Sequence, residues 1–192
     1  MDRNGNFIRL AGTVHESTVD GDGFRLVIFT QGCNHHCKNC QNQHTHDVYG
    51  GFEISVSALI DEVTRKLKNN PMLSGITISG GEPFLQPEAC AKVAKCVKQM
   101  GKSVWVYTGY EIEQLLDTGL GMDLLNYTDF LVDGPYIEEK RDTRVPFRGS
   151  SNQRIIKVQP FVANYLMEEK LKQFIAGHQT EEKLKQYDVK LK

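Results

Sequence analysis

Three things are scarce in this sequence, and each scarcity removes a class of protein. No apolar run in the 192 residues approaches the ~18 needed to cross a bilayer, so no membrane-spanning helix is expected. Neither charge predominates: 23 Lys and Arg against 24 Asp and Glu leave a formal net charge of -1. No basic block is dense enough to draw the chain to nucleic acid or to an anionic membrane, and neither partner is expected. Cysteine is too sparse and too unevenly spread for a disulfide framework, which needs an even set across a small secreted domain. There are five, three of them within residues 33–40. A reducing compartment suits that usage, and MDRNGNFIRL at the start has no apolar signal core, so the expected location is the cytoplasm. Internal repeats and low-complexity segments are also missing. What remains, 40% hydrophobic and 24% charged, is enough for one well-buried core.

The chain is organised around Thr30–Asn42, TQGCNHHCKNCQN. Cys33, Cys37 and Cys40 stand there in C-x3-C-x2-C spacing, just after the apolar run Phe24–Phe29. Three thiolates so close in sequence can converge on one metal centre, but they cannot complete a four-ligand site, and an open coordination position is where chemistry happens. Soft thiolate sulfur selects zinc or iron–sulfur clusters over hard cations. Spacing alone leaves two readings open: a cluster, or structural zinc completed by one of His35, His36, His44 and His46.

The rest of the chain alternates. Residues 7–19 mix β-formers with polar residues and end at the turn signal Asp20-Gly21-Asp22-Gly23, which predicts an edge strand. Phe24–Thr30 reads as a buried strand that delivers the cysteine loop at its C-terminal end, where α/β sheets bind ligands. Val56–Asn69 has helical periodicity through Leu59, Ile60, Val63 and Leu67. Gly75–Ser79 predicts a strand, Pro87 opens a helix to Met100, and Ser103–Tyr107, Glu111–Asp117 and Asp129–Val132 predict strand, helix and strand. Cys90 and Cys96, six apart in the second helix, read as small apolar packing residues. Arg154–Val158 can form a last strand. Met167, Leu171, Phe174 and Ile175 predict an amphipathic helix, and 180–192 a weaker one. The fold class is therefore α/β with a parallel sheet. The expected division is a core domain, 1–160, and a helical tail, 161–192.

Two glycines at the end of the Gly75–Ser79 strand, in Ser79-Gly80-Gly81-Glu82-Pro83, allow a ligand to approach the backbone closely; an ordinary strand-to-helix turn is the simpler use of the same residues. Together with the cysteine spacing, this segment resembles the radical S-adenosylmethionine (SAM) enzymes. Val104–Tyr110, Asp133-Gly134-Pro135, Asp20–Arg25 and above all Arg148–Arg154, RGSSNQR, narrow the resemblance to the activating proteins of anaerobic ribonucleoside-triphosphate reductases, over about Ile8 to Val158.

That resemblance implies a shortened partial (β/α) barrel of about five parallel strands with helices outside. It implies a [4Fe–4S] cluster on Cys33, Cys37 and Cys40, with SAM chelated to the fourth iron. It further implies one-electron cleavage of SAM to methionine and a 5′-deoxyadenosyl radical, which takes hydrogen from a glycine of the reductase large subunit. No catalytic residue is implied beyond cluster and SAM. By the same resemblance Asn39, Cys40 and Gln41 line the SAM side of the loop, Gly80 and Gly81 meet its amino group beside Glu82, and reduced flavodoxin or ferredoxin donates the electron. Tyr107, Thr108 and Asp133 are candidate pocket residues, or structural ones. Asn39 departs from the superfamily, which often has an aromatic there against adenine. His35 and His36 either tune the cluster or are solvated; Arg148 and Arg154 either hold the SAM carboxylate, dock the partner, or pair with surface acids. Activation of another glycyl-radical enzyme, such as pyruvate formate-lyase, and a non-enzymatic Cys3His zinc module are the alternatives.

Overall fold

Side chains that alternate along a strand give a sheet two faces, and here the two faces are covered by different material. The structure, a computed structural model, describes residues 4–172. Its strands are β1 (Phe7–Ser17), β2 (Phe24–Thr30), β3 (Phe52–Ser55), β4 (Leu73–Gly80), β5 (Ser103–Tyr107), β6 (Phe130–Asp133) and β7 (Arg154–Lys157). They form one seven-stranded sheet in the order β3-β1-β2-β4-β5-β6-β7. The central strands β2, β4, β5 and β6 are parallel, while β1, β3 and β7 run antiparallel to their neighbours.

Two expectations change. There are four parallel strands rather than about five, because the final strand returns against β6 in the opposite direction. Strand β1 is not at the edge, because the short β3 pairs along its free side. The architecture is a partial, mixed sheet with helices around it.

One face carries Leu26, Ile28, Ile76, Ile78, Val104, Val106 and Leu131, all essentially inaccessible. Helices α1 (Val56–Asn69) and α2 (Pro87–Gln99) cover this apolar side, with shorter α3 (Ile112–Thr118) and α4 (Met122–Asn126). In α1, Ser55 caps the first turn by accepting from the Ala58 amide, and Leu59, Val63 and Leu67 form the buried stripe. In α2, Pro87 starts the helix, and Ala89, Cys90, Ala91, Val93, Ala94 and Val97 let it lie close to the strands. Cys90 is fully buried there, as its packing role requires. A reciprocal Glu111/Gln114 capping box opens α3, and Gly119 at φ 70 closes it.

The opposite face is polar and aromatic, and segments without regular structure cover it. Arg25 is fully buried on it; its guanidinium donates to Thr77 Oγ1, Ser103 Oγ and the Ile76 and Asp22 carbonyls. Burial pushes its pKa down to about 10, which still leaves it charged at neutral pH. Trp105 stacks on Phe130 at 4.7 Å between ring centroids and meets the edge of Phe147. The 18–23 turn folds over the same face: Thr77 Oγ1 donates to the Asp20 carbonyl, and Gly21 sits so close to the Trp105 ring that an added Cβ would approach it to 2.8 Å.

The chain divides into two compact units, Met1–Val158 and Gln159–Lys192. Residues 158–172 are helical. The expectations for Phe174, Ile175 and 180–192 lie outside the described residues. No helix among the described residues is long and apolar enough to cross a membrane.

Candidate active site

At the C-terminal ends of β2, β4 and β5 the parallel pairing runs on into the loops. Gly81 N–H donates to the Thr30 carbonyl and Glu82 N–H to the Gly32 carbonyl, each at 2.8 Å. The backbones are close enough here that a Cβ on Gly81 would stand 2.2 Å from the Gly32 oxygen. Gly80 adopts φ 104 and is equally hemmed in by Thr30. The paired glycines thus join the two loops, whatever else their backbones meet.

The cysteine loop is pinned at its base. Gly32 N–H donates to the Thr45 carbonyl and Cys33 N–H to that of His46, while the Gln31 amide bonds the His44 and Asp47 carbonyls. Within it, His36 (φ 50) and Asn39 (φ 52) are left-handed. Asparagine is among the few residues that tolerate that region, which gives a local reason for Asn39. The loop's turns bring Cys33, Cys37 and Cys40 to the lining of a cavity of about 130 Å³, which Gly80, Gly81, Glu82, Tyr107 and Thr108 also line.

A backbone amide stands against each thiol: that of His35 at Cys33, of Tyr136 at Cys37, and of Asn42 at Cys40, the last at 3.4 Å. Burial, with Glu82 and the neighbouring thiols, pushes the Cys33 and Cys37 pKa values up. Amides aimed at sulfur and the soft donor set fit a thiolate-held cluster. A tetrahedral zinc with ~2.3 Å Zn–S bonds would need sulfurs about 3.8 Å apart. Among the described residues, no three His, Cys, Asp or Glu side chains are placed to hold a single ion.

Several expected residues occupy other roles. Asn39 is exposed and outside the cavity lining. Gln41 lines a second cavity of about 400 Å³, bounded also by Asp20, Phe147 and Arg148, which shares Tyr107 with the first. Tyr107 donates its hydroxyl to the Phe147 carbonyl at 2.8 Å, and burial raises its pKa. Asp133 is fully buried and outside the cavity lining, its carboxylate taken by Arg154 and by the Ile112 amide at the start of α3. Arg154 also binds Glu113, so its guanidinium is committed to two carboxylates of the fold.

RGSSNQR proves to be a strap. Gln153 Oε1 accepts from the Gly149 and Ser150 amides, its Nε2 donates to the Gly134 carbonyl, and Asn152 donates to that of Pro135. Arg148 Nη1 donates to the Gln153 carbonyl at 3.2 Å, while its buried Nε and the buried Asn152 Oδ1 have no hydrogen-bond partner. Asn42 and Tyr136 line the first cavity with no signal in the sequence; Ser79 and Gln153 read there only as parts of motifs, His46 only as a zinc ligand, and His35 as a zinc ligand or a residue that tunes the cluster, and all four line it as well.

Comparison with known proteins gives the class to which this fold and site belong, a domain that carries a single iron–sulfur cluster. Residues 19–156 match a family model described as "4Fe-4S single cluster domain". The anaerobic ribonucleoside-triphosphate reductase-activating protein of Vibrio cholerae serotype O1 is 35% identical over 143 residues, 71% of this chain and 90% of that protein. Proteins of the same name from Escherichia coli K12 (33% identical; 70% and 89% covered) and Enterobacteria phage T4 (31%; 71% and 86%) match as well. The chain belongs to the family of anaerobic ribonucleoside-triphosphate reductase-activating proteins. Among solved structures, QueE from Escherichia coli superposes with a TM-score of 0.42 at 16% identity, over 54% of this chain and 53% of that one, so nearly half of each has no counterpart.

Proposed function

We propose that this protein is a radical SAM activase that generates a glycyl radical on the large subunit of an anaerobic ribonucleoside-triphosphate reductase. The observation that supports it best is the meeting of three cysteines with the Gly80–Glu82 turn around one cavity, at the C-terminal edge of parallel strands, in a chain of this family. In this reading the sheet is the shortened partial barrel of the radical SAM type, residues 1–160 form its core domain and 161–192 its tail.

Cys33, Cys37 and Cys40 would hold the [4Fe–4S] cluster. When bound, cluster and SAM supply an electron-driven cleavage that ends in hydrogen abstraction from the partner's glycine. The carbonyls of the Gly80-Gly81 turn would accept from the SAM ammonium. Tyr107 and Thr108 close the far wall. The loop-covered face offers the larger second cavity to the glycine-bearing segment of the reductase, with Gln41 and the unpartnered Arg148 Nε at its border. Reduced flavodoxin or ferredoxin is the electron donor.

Anaerobic reconstitution with iron and sulfide, dithionite reduction, and electron paramagnetic resonance with and without SAM test the reading. A [4Fe–4S]+ signal that SAM reshapes, lost in each of Cys33→Ala, Cys37→Ala and Cys40→Ala, is expected. One tightly bound zinc per chain and no cluster would sink it. Presenting the reductase and pyruvate formate-lyase separately then identifies which partner acquires the glycyl radical.

A further inference from the structure

Glu82 is fully buried, and its two oxygens are bonded from three directions. Oε1 accepts from the Phe84 amide and from Thr108 Oγ1, both at 2.9 Å. Oε2 accepts from the Gly109 amide at 2.9 Å and from His35 Nε2 at 2.7 Å. An ionised carboxylate has about four acceptor positions, so this one has none left for a ligand. Its partners come from the turn after β4, the end of β5 and the cysteine loop.

His35 is the cysteine loop's share of that junction, lying between Cys33 and Cys37. Its ring meets the Tyr110 ring edge-on at 4.6 Å, and the Tyr110 hydroxyl accepts from Asn34 at 3.0 Å. The slot it fills exists because residue 109 has no side chain: a Cβ on Gly109 would stand 2.5 Å from His35 Cδ2 and 2.7 Å from Nε2. One ring is therefore held by a carboxylate, an aromatic and a glycine from two other loops.

We infer that His35 is a positioning residue, a strut seated on Glu82 in the Gly109 slot that sets the spacing between the cysteine loop and the glycine turn. The inference rests on the function proposed above, in which the first carries the cluster and the second meets the SAM ammonium. The side chain of Glu82 orients the site and does not touch SAM. Loss of the strut leaves all three thiols in place but lets the two halves of the site drift relative to each other, so SAM binding suffers more than cluster assembly.

Three variants and two readouts test this. In the reconstituted protein, His35→Ala is expected to keep its iron content, weaken SAM about tenfold, and lose most of the SAM-induced change in line shape. His35→Gln, which can present a donor to Glu82, restores most of both. Gly109→Ala, which leaves His35 and Glu82 intact but fills the slot, reproduces His35→Ala. In the metal-free protein, amide hydrogen exchange across 33–40 rises in His35→Ala and Gly109→Ala, while 73–80 and 103–107 stay protected. Wild-type SAM affinity and line shape in His35→Ala would overturn the inference, as would no recovery in His35→Gln or unchanged exchange across 33–40. Failure of the wild-type protein to take up a cluster would instead refute the proposed function, and exchange in the metal-free protein would still test the strut.

Discussion

Replacing Gly81 by alanine tests the idea that β2 and β4 are held together beyond their last paired residues. The new methyl would lie 2.2 Å from the Gly32 carbonyl oxygen and 2.8 Å from its carbon, and both are backbone atoms with no rotamer to escape into. An ordinary contact needs roughly 3.5 Å, so the two chains must part by about 1.3 Å. Moved that far, the 2.8 Å bonds Gly81 N–H to Thr30 O and Glu82 N–H to Gly32 O no longer exist. Two backbone pairs lost at an enclosed position cost about 3 kcal/mol, which lowers the melting temperature by roughly 6–12 °C in a domain of this size. The check is a urea and thermal unfolding series against Gly101→Ala, where φ is +71 but an added Cβ meets nothing within 4 Å. That control pays only the left-handed strain, ~1–2 kcal/mol. Gly81→Ala within 0.5 kcal/mol of wild type by this assay, an order-of-magnitude margin for a surface change, would refute the reasoning.

Arg154→Met leaves the fully buried Asp133 carboxylate with the Ile112 amide but no cation. Because the Arg154 side chain is 43% exposed, water offsets part of the loss, and the expected cost is about 2–3 kcal/mol in urea unfolding at pH 7. Glu113→Gln addresses acid sensitivity: Arg154 holds the Glu113 carboxylate below its usual range, so on acidification the unfolded chain takes up the proton first. Stability contributed by this pair is complete above the unfolded value of 4.5 and falls as the pH drops below it. Glu113→Gln therefore shows a shallower decline of urea midpoint from pH 5 to pH 3.5 than wild type, and an equal decline would contradict the assignment.

Helix α1 and strand β5 were legible to the residue, because periodicity and a compact β-forming run mark Val56–Asn69 and Ser103–Tyr107 locally. Strand β3 was not, since four residues with two polar ones, FEIS, carry no pattern apart from the β1 edge they pair with. Strand β7 was visible as RIIKV, but direction is set by the loop that precedes it and leaves no mark in its composition. The three cysteines could be grouped from spacing. The partnership of His35 and Glu82 could not, with the two 47 positions apart in sequence, nor that of Asp133 and Arg154, 21 apart. In both cases a carboxylate beside a presumed ligand site turned out to be saturated by the fold itself.

The chain has a single tryptophan, Trp105, and it sits at 3% exposure among the pieces that cover the inner face of the sheet. Gly21 of the 18–23 turn presses on one part of its ring, Phe130 stacks on it, and Phe147, which borders the larger cavity, meets it edge-on at 5.4 Å. An occupant of that cavity would meet Phe147, one contact away from the indole. If the proposed docking of the reductase segment takes place there, it is expected to change the protein's own ultraviolet emission, so its kinetics can be followed without attaching a dye.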